Sequence, residues 1–319
     1  MRKIGIIGMG HVGSTLAHIV IDRGMVDEIV LLDINQKHLK AEALDFWDAQ
    51  SFLPHHTKII AGDYKDLADA NLIVSTFGNV NLTAESGDRF AELQFNVKQI
   101  RSMAEQLKKV HFDGVFLTIT NPVDVITAVY QRELALPKNQ VIGTGTFLDS
   151  SRLKKEIGER FKIDPRSVSG FVIGEHGNSQ FPAWSSIRIF DNPVSSFAKE
   201  NSVNIDDIEE KTKEDAFRVI DGKGYTNIAI ATAAATLIEM ILSDSHSEVI
   251  VSHYNKKFGI YISLPAIIGR KGIVKDIYLP LDRKESTKLK TSAESIIKKT
   301  KIIRMTDFCA DLLFKIKLE

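Results

Sequence analysis

The chain has 319 residues, a formal net charge of +0, and hydrophobic and charged shares of 44% and 26%. These values are typical of a globular protein that is long enough for two domains, each with its own core. The balanced charge argues against a nucleic-acid-binding protein, and a single cysteine, Cys309, excludes an intrachain disulfide.

The N-terminal residues lack the pattern of a targeting segment. A basic start precedes a short apolar run at Ile4–Ile7, but the glycines in Gly8–Gly13 interrupt it before a signal core is complete. The longest apolar segments, Val115–Ile119 and Ile228–Ile241, are too short or too interrupted to span a bilayer. We therefore expect a soluble, unprocessed protein without a membrane partner, in the reducing environment of the cytoplasm.

A glycine-rich turn follows the first predicted strand. Lys3–Ile7 is an apolar run typical of a strand buried on both faces, and Gly8–Gly13 follows it directly. Helical spacing then extends over Ser14–Asp22, and a second buried strand, Glu28–Leu32, ends at Asp33. A strand, a glycine turn, a helix and an acid about 20 residues beyond the last glycine form the context of a dinucleotide-binding motif.

Each residue type in this motif suits a cofactor phosphate or ribose. Gly8 permits a tight turn, Gly10 lets the main chain approach a pyrophosphate, and Gly13 lets the helix pack closely on the strand. Asp33 can accept hydrogen bonds from the adenosine ribose and would repel a 2′-phosphate, so NAD is favoured over NADP. Nearby Lys37 weakens that charge argument, and three glycines alone would indicate only a turn.

The first half of the chain alternates between predicted strands and helices. This alternation predicts an α/β fold with a Rossmann-type, doubly wound parallel sheet that ends at about residue 145. The further predicted strands are Lys58–Ala61, Leu72–Thr76, Val115–Thr120 and Val141–Gly143. The further predicted helices are Gln36–Phe52, Phe90–Lys109 and Val123–Glu133. We therefore assign residues 1–145 to an NAD-binding domain.

Two polar segments follow strands at the predicted cleft. Gly78 and Gly87 bracket a stretch before Arg89, which is typical of a loop that closes over a cleft and carries the arginine. An ordinary surface loop with a solvated arginine would show the same spacing. Asn121 precedes Pro122 after another buried strand. Its side chain can donate and accept hydrogen bonds in the cleft, but an asparagine before proline is also a common turn former.

Residues 146–319 have a different pattern, which predicts an α+β catalytic and substrate domain. The predicted strands are Ser167–Ile173, Ile187–Phe190, Tyr261–Ile268 and Lys275–Tyr278. The predicted helices are Ile205–Ile220, Tyr225–Ser243 and Asp282–Lys301. The last helix is charged on one side, and its lysines are most simply a solvated face.

Three polar side chains of the second domain can meet in one cleft. Asp149 and Arg152 are three residues apart, so on a helix they share one face. His176 lies in a polar turn between Gly174 and Gly177. A carboxylate, a guanidinium and an imidazole suit proton and hydride transfer on a small carboxylic acid, although a lone histidine in a turn is more often structural.

A metal site has little support in the sequence. His55 and His56 are adjacent, which would direct them to opposite sides of an extended segment. No cysteine or acidic pair stands at ligand spacing around them, so we expect no metal ion.

Several motifs together resemble the lactate and malate dehydrogenase family, in order and spacing over nearly the whole chain. They are Gly8–Gly13 with Asp33, Thr120–Val123, Ile142–Arg152, Gly174–Gly177 and Lys223–Thr226. Within that family the chain looks most similar to bacterial L-2-hydroxyisocaproate dehydrogenases, through Gly87–Leu93, Asp164–Ser169 and Glu175–Phe181. The resemblance implies an NAD-dependent oxidoreductase, and it favours a homotetramer.

The resemblance also gives the three clustered side chains separate roles in the reduction of a 2-oxo acid. His176 would be the general acid and base, and Asp149 would hold its other ring nitrogen and raise its pKa. Arg152 would bind the substrate carboxylate through a two-bond fork. Arg89 would be carried in by loop closure to polarise the reacting carbonyl.

Further residues implied by the resemblance hold the cofactor and line the pocket. Asn121 would lie between the nicotinamide ribose and the substrate, Thr226 would line the pocket, and the Asn121–Pro122 bond would be cis. The implied cofactor-binding residues are Gly8, Gly10, His11, Val12, Gly13, Asp33, Gly78 and Asn121.

The loop between Gly78 and Arg89 is expected to select the substrate side chain. The candidate residues are Asn81, Leu82 and Thr83. Malate enzymes place an arginine there and lactate enzymes a glutamine, and this loop contains neither, so a second carboxylate would be buried unpaired. We therefore expect a 2-oxo acid with a bulky aliphatic or aromatic side chain. The alternatives are L-lactate dehydrogenase, malate dehydrogenase and a catalytically silent NAD-binding protein.

Overall fold

The first half of the chain forms a six-stranded parallel sheet in the computed structural model, which describes residues 1–78 and 89–316, with the main chain alone at 89–95, 216–217 and 303–316. The strands are β1 (Lys3–Ile7), β2 (Glu28–Leu32), β3 (Lys58–Ala61), β4 (Leu72–Ser75), β5 (Val115–Thr118) and β6 (Val141–Gly143). Their order across the sheet is β3-β2-β1-β4-β5-β6. This is the order of a doubly wound dinucleotide-binding fold, and it confirms the predicted class.

Helices cover both faces of this sheet, which is why its central strands are continuous apolar runs. They are α1 (His11–Asp22), α2 (Gln36–Ala49), α3 (Arg89–Lys109) and α4 (Val123–Leu134). Alternate residues of β1 enter separate cores: Ile4 and Ile6 pack in one cluster and Ile7 in the other. The central strands are therefore held between two buried cores, and the glycine turn and Asn121 follow the carboxyl ends of such strands.

The second half begins with helix α5 (Phe147–Phe161), which starts next to the carboxyl end of β6. Short strands follow: β7 (Val168–Ser169), β8 (Val172–Ile173), β9 (Phe181–Pro182), β10 (Arg188–Ile189) and β11 (Asn192–Pro193). The remaining elements are α6 (Val194–Glu200), α7 (Ile205–Lys223), α8 (Ile228–Leu242), β12 (Ser247–Asn255), β13 (Ile260–Gly269), β14 (Gly272–Asp276) and α9 (Arg283–Ile316).

Strands β12 to β14 extend the main sheet in antiparallel fashion, so the sheet has nine strands in the part of the chain that the structure describes. β12 joins β6 through the pairing of Ser252 with Gly143. The sequence did not predict β12, because its buried residues include Ser252 and His253, whose polar side chains make the apolar run look short. The last predicted strand was also placed too late, at Lys275–Tyr278.

Other predicted boundaries in the second half are corrected as well. The strand predicted at Ser167–Ile173 divides into β7 and β8 around Gly170, whose φ of 111° ends regular pairing. Helix α8 begins at Ile228, three residues after the predicted start at Tyr225. The last helix continues to Ile316, well past the predicted end at Lys301.

Part of the predicted lid lies outside the described residues. This applies to residues 79–88, including Asn81, Leu82, Thr83 and Gly87, and to the side chain of Arg89. Within the described residues, no single helix is long and apolar enough to cross a membrane, and the pair α7 and α8 passes that test only when both helices are counted across a bend of 117°.

Candidate active site

The glycine turn after β1 has the three properties expected of a dinucleotide-binding loop. Gly8 has a φ of 99°, which an L side chain rarely adopts. A Cβ atom on Gly13 would lie 1.9 Å from the Gly8 carbonyl oxygen, so only glycine lets α1 pack this close. A Cβ atom on Gly10 would meet no atom within 4 Å, which leaves that side of the turn open. The turn therefore fits a pyrophosphate at the N-terminus of α1.

Asp33 is anchored to this turn at the end of β2. Its Oδ2 accepts a hydrogen bond from the main-chain N–H of Met9 at 2.7 Å, and Oδ1 accepts one from that of Asn35 at 2.8 Å. Each carboxylate oxygen can accept a further bond, so the fixed group can still receive the two hydroxyls of a ribose. Lys37 is exposed on α2.

Threonine hydroxyls connect the carboxyl ends of neighbouring strands. Thr76 Oγ1 donates to the Gly8 carbonyl at 2.7 Å, and Thr120 Oγ1 donates to the Phe77 carbonyl at 2.6 Å. The peptide bond between Asn121 and Pro122 is cis, as the resemblance implied. Gly78 and Asn121, both exposed, thus follow adjacent strands at the edge where ligands bind in this fold.

Asp149, Arg152 and His176 lie in direct contact, as the sequence predicted. His176 Nδ1 is 2.7 Å from Asp149 Oδ2, and Arg152 NH1 is 3.2 Å from Asp149 Oδ1. An ionised carboxylate can only accept, so Nδ1 carries the proton and Nε2 faces away from the pair. Asp149 is buried, whereas the His176 side chain keeps 29% of its surface exposed. The imidazole is therefore oriented from inside and accessible from outside.

Burial and neighbouring charges shift the pKa values of Asp149 and His176 in opposite directions. Burial alone would raise the pKa of Asp149, but the charge and hydrogen bond of His176, together with Arg152, hold it below its ordinary value. Burial would lower the pKa of His176, but Asp149 and the nearby Asp124 outweigh that effect and raise it. The site therefore favours an imidazolium beside an ionised carboxylate.

The loop that carries His176 is held by the last helix. The main-chain N–H of Glu175 donates to Ser292 Oγ at 2.7 Å. The buried Glu175 carboxylate accepts from Ser179 Oγ at 2.6 Å and forms an ion pair with Lys299. Two residues of α9 therefore brace the residue next to the histidine.

The segment between α7 and α8 packs against the start of α1. The Tyr225 and His11 rings are stacked with centroids 3.7 Å apart, and Asn227 Nδ2 donates to Thr15 Oγ1 at 2.8 Å. Thr226, between these contacts, is half-buried. Val12, also half-buried, follows His11 in the first turn of α1. These contacts place the predicted pocket residue Thr226 beside the glycine turn.

Sequence reasoning missed Asp124, which is buried in the first turn of α4. Its Oδ2 accepts a hydrogen bond from the main-chain N–H of His176 at 2.8 Å. The available signal was an acid three residues after Asn121, but acids are common in first turns because they complement the helix dipole. The pattern therefore had an ordinary explanation.

Among the described residues, no group of three or more histidine, cysteine or acidic side chains could hold a metal ion. His55 Nε2 lies 2.7 Å from the Ile21 carbonyl oxygen, and the His56 ring lies near Trp47. Each of these two histidines therefore contacts another part of the protein.

Two family models match the chain in succession. The NAD-binding domain of lactate/malate dehydrogenase matches residues 2–143, and the α/β C-terminal domain of the same family matches residues 146–305. Together they cover nearly the whole sequence.

Curated relatives and solved structures agree with these matches. The chain is 37% identical over 304 residues to L-lactate dehydrogenase 1 of Bifidobacterium longum, covering 92% of this chain and 96% of that protein. It is 35% identical over 303 residues to L-lactate dehydrogenase of Clostridium botulinum, covering 92% and 94%. The minor L-lactate dehydrogenase of Enterococcus mundtii superposes with a TM-score of 0.91 at 30% identity, covering 95% and 98%. Lactate dehydrogenase of Cryptosporidium parvum, solved with lactic acid and NAD, gives 0.88 at 30% identity with the same coverage.

Proposed function

This chain belongs to the lactate/malate dehydrogenase family and is an NAD-dependent 2-hydroxy acid dehydrogenase, and from that premise we propose that it interconverts L-lactate and pyruvate. The observation that carries the proposal is the contact of Asp149 with both His176 and Arg152. A protein that only binds NAD has no need of a carboxylate that holds an imidazole and a guanidinium at one cleft.

His176 is the proposed general acid and base. Its Nδ1 is taken by Asp149, so Nε2 is the atom that gives a proton to the carbonyl oxygen of a 2-oxo acid. In the reverse direction, Nε2 of the neutral ring takes the hydroxyl proton of the 2-hydroxy acid. Asp149 stabilises the imidazolium throughout and stays ionised. Bound NADH supplies the hydride for the carbonyl carbon.

Arg152 is the proposed carboxylate-binding residue. One of its five N–H donors bonds to Asp149 Oδ1, and the planar guanidinium keeps other donors for a two-bond fork to the substrate carboxylate. Because Arg152 and His176 share Asp149, the two ends of the 2-oxo acid group are held at a defined separation.

Further roles rest on the family resemblance. We propose that Arg89, the first residue of α3, polarises the reacting carbonyl and that Asn121 and Thr226 line the substrate site. The proposed NAD-binding residues are Gly8, Gly10, His11, Val12, Gly13, Asp33, Gly78 and Asn121. We also keep the assignment of residues 1–145 to NAD binding and residues 146–319 to substrate and catalysis, which the ranges of the two family models support.

The substrate side chain distinguishes two candidates. The curated relatives named above are L-lactate dehydrogenases, so they favour our alternative prediction of lactate over the L-2-hydroxyisocaproate prediction. The second candidate, a bulkier 2-oxo acid, keeps the support of the loop sequence, because Asn79–Ser86 contains neither arginine nor glutamine. A malate enzyme is disfavoured by the same lack of a cation for a second carboxylate.

A substrate panel tests this proposal. NADH oxidation is followed with pyruvate, 2-oxoisocaproate, phenylpyruvate and oxaloacetate, and the substrates are compared by kcat/KM. The highest value for pyruvate is expected. A highest value for 2-oxoisocaproate or phenylpyruvate would replace lactate by the second candidate, and turnover of none of the four would contradict the proposed function.

We further propose a homo-oligomer, a tetramer by family resemblance, in the cytoplasm. Apolar side chains are exposed along α2 and the turn after it, with Leu44 62% and Phe52 89% accessible. Contiguous apolar patches are typical of surfaces that bind another protein, and these side chains are candidates for such a patch. Size-exclusion chromatography with light scattering gives the molar mass, and a monomer at micromolar concentration would contradict this proposal.

A further inference from the structure

A second buried carboxylate lies beside His176. Asp124, at the start of α4, is 2% exposed. Its Oδ2 accepts the main-chain N–H of His176 at 2.8 Å, and its Oδ1 lies 3.4 Å from the donating hydroxyl of Ser263 on β13. Asp124 on α4 therefore contacts both the histidine loop and β13, at the point where Gly174 of that loop pairs with Ser263.

The two carboxylates hold different parts of the same residue. Asp149 bonds to the ring through Nδ1, while Asp124 bonds to the main chain. The α9 contacts hold the neighbouring Glu175, and the bond to Asp124 holds the main chain at His176 itself. A misplacement of a reacting group by about 1 Å can cost about 100-fold in rate. We propose that Asp124 is a positioning residue for the reaction, one that fixes the main chain of His176 and stabilises its imidazolium form.

This proposal rests on the proposed function, because it assigns Asp124 a task only if His176 transfers a proton. Asp124 touches neither substrate nor cofactor in that account. It acts through His176, so its effect must be measurable as a change in the behaviour of that histidine.

In the described part of the chain, the other charged groups around His176 are paired with one another, whereas Asp124 is not. The described groups that face the histidine or its neighbours are Asp149 and Arg152 on α5, Asp124 on α4, Glu175 in the same loop and Lys299 on α9. Arg152 contacts Asp149 and Lys299 contacts Glu175. No ion pair of Asp124 with a lysine or arginine occurs among the described residues, so its charge acts mainly on His176.

The pKa values of Asp124 and His176 are linked through their contact. Burial raises the pKa of Asp124 to about 6, and the neighbouring Ser252 hydroxyl, the His176 N–H and the His176 charge partly counter that effect. Above that pKa Asp124 is ionised, and its charge helps to raise the pKa of His176. Loss of the charge should therefore lower the pKa of His176, whereas loss of the acceptor should also free the main chain of His176 from α4.

Two substitutions separate these effects. Asp124→Asn removes the charge but keeps an oxygen that accepts the His176 N–H, and Asp124→Ala removes both. Glu285→Gln is the matched control, since Glu285 is another buried carboxylate, at the start of α9, that accepts a main-chain N–H from Ser185 at 2.9 Å. The kcat and KM for 2-oxo acid reduction are measured from about pH 5.5 to about pH 9, and the Kd for NADH is measured by fluorescence.

In the pH profile of kcat/KM, the alkaline limb is the fall in rate as His176 loses its proton. For Asp124→Asn this limb should move to lower pH by about 0.5 unit or more, with kcat at the optimum pH within about threefold of wild type. For Asp124→Ala, kcat at the optimum should also fall at least about tenfold while the Kd for NADH stays unchanged. The limb of Glu285→Gln should coincide with that of wild type.

An alkaline limb of Asp124→Asn that coincides with wild type would overturn the proposal and leave Asp124 as a core residue. If Asp124→Ala does not fold, the limb of the isosteric Asp124→Asn variant decides alone. An inactive wild type would instead contradict the proposed function, so the two failures are distinguishable.

Discussion

Asp149 Oδ2 lies 2.7 Å from Nδ1 of His176, and the carboxylate is buried while the ring remains partly accessible. The two residues come from different elements and are 27 positions apart in the chain. The contact selects one tautomer of the imidazole and leaves Nε2 for a substrate. Most of the chemistry proposed for this enzyme depends on that single arrangement.

The direction of the His176 pKa shift predicts opposite pH profiles for the two reaction directions. Reduction of a 2-oxo acid needs the imidazolium, so kcat/KM should be highest at low pH and fall as pH rises through the raised pKa. Oxidation of the 2-hydroxy acid needs the neutral ring and should rise over the same range. Initial rates in both directions across that range test this, and parallel profiles would contradict it.

Replacement of Asp149 by Asn should remove both the carboxylate charge beside His176 and the bond that selects the tautomer of its ring. The amide can donate to Nδ1, which favours the wrong tautomer. Burial then lowers the pKa of His176 against the opposing charge of Asp124 alone. We expect kcat/KM for pyruvate at neutral pH to fall at least about 100-fold, with an alkaline limb at lower pH. Asp45→Asn, at an exposed position of α2, is the control. A limb at the wild-type position would rule out this account of the pair.

Replacement of Arg152 by Lys should weaken substrate binding despite the retained charge. A lysine cannot form the two-bond fork, so kcat/KM for pyruvate should fall about 100-fold, mainly through KM. Arg160→Lys is a matched control, because Arg160 is exposed on the same helix. Equal effects of the two substitutions would show that Arg152 does not bind the carboxylate.

Replacement of Asp33 by Ser should relax the preference for NADH over NADPH. The serine cannot accept from both ribose hydroxyls and no longer repels a 2′-phosphate, so the ratio of kcat/KM for the two cofactors should fall about tenfold or more. The ratio is measured with pyruvate at constant ionic strength. A wild-type enzyme that used both cofactors equally would refute the role given to Asp33.

The parts of the fold that the sequence predicted are those encoded by local patterns. Strand β1 and the glycine turn were recognisable because a strand buried on both faces is a continuous apolar run and because Gly8 and Gly13 meet steric demands that other residues fail. Strand β12 was not, since the buried polar residues Ser252 and His253 interrupt its apolar run and one of its two neighbouring strands, β6, comes from a distant part of the chain.

The same distinction holds within the site. Asp149 and Arg152 share a helix face, so their contact follows from spacing. The bond from His176 to Asp124 joins residues 52 positions apart, and nothing local to Asp124 indicates that α4 and the histidine loop meet there. Contacts of this kind follow from the packing of the whole sheet.

The His176→Asn variant tests most directly whether His176 transfers the proton. Steady-state reduction of pyruvate and fluorescence titration with NADH are measured on the same preparation, with exposed His56→Asn as the control. We predict a loss of kcat/KM of about 1,000-fold or more, a Kd for NADH within about threefold of wild type, and an unaffected control. A His176→Asn variant that kept a tenth of the wild-type activity would contradict the account.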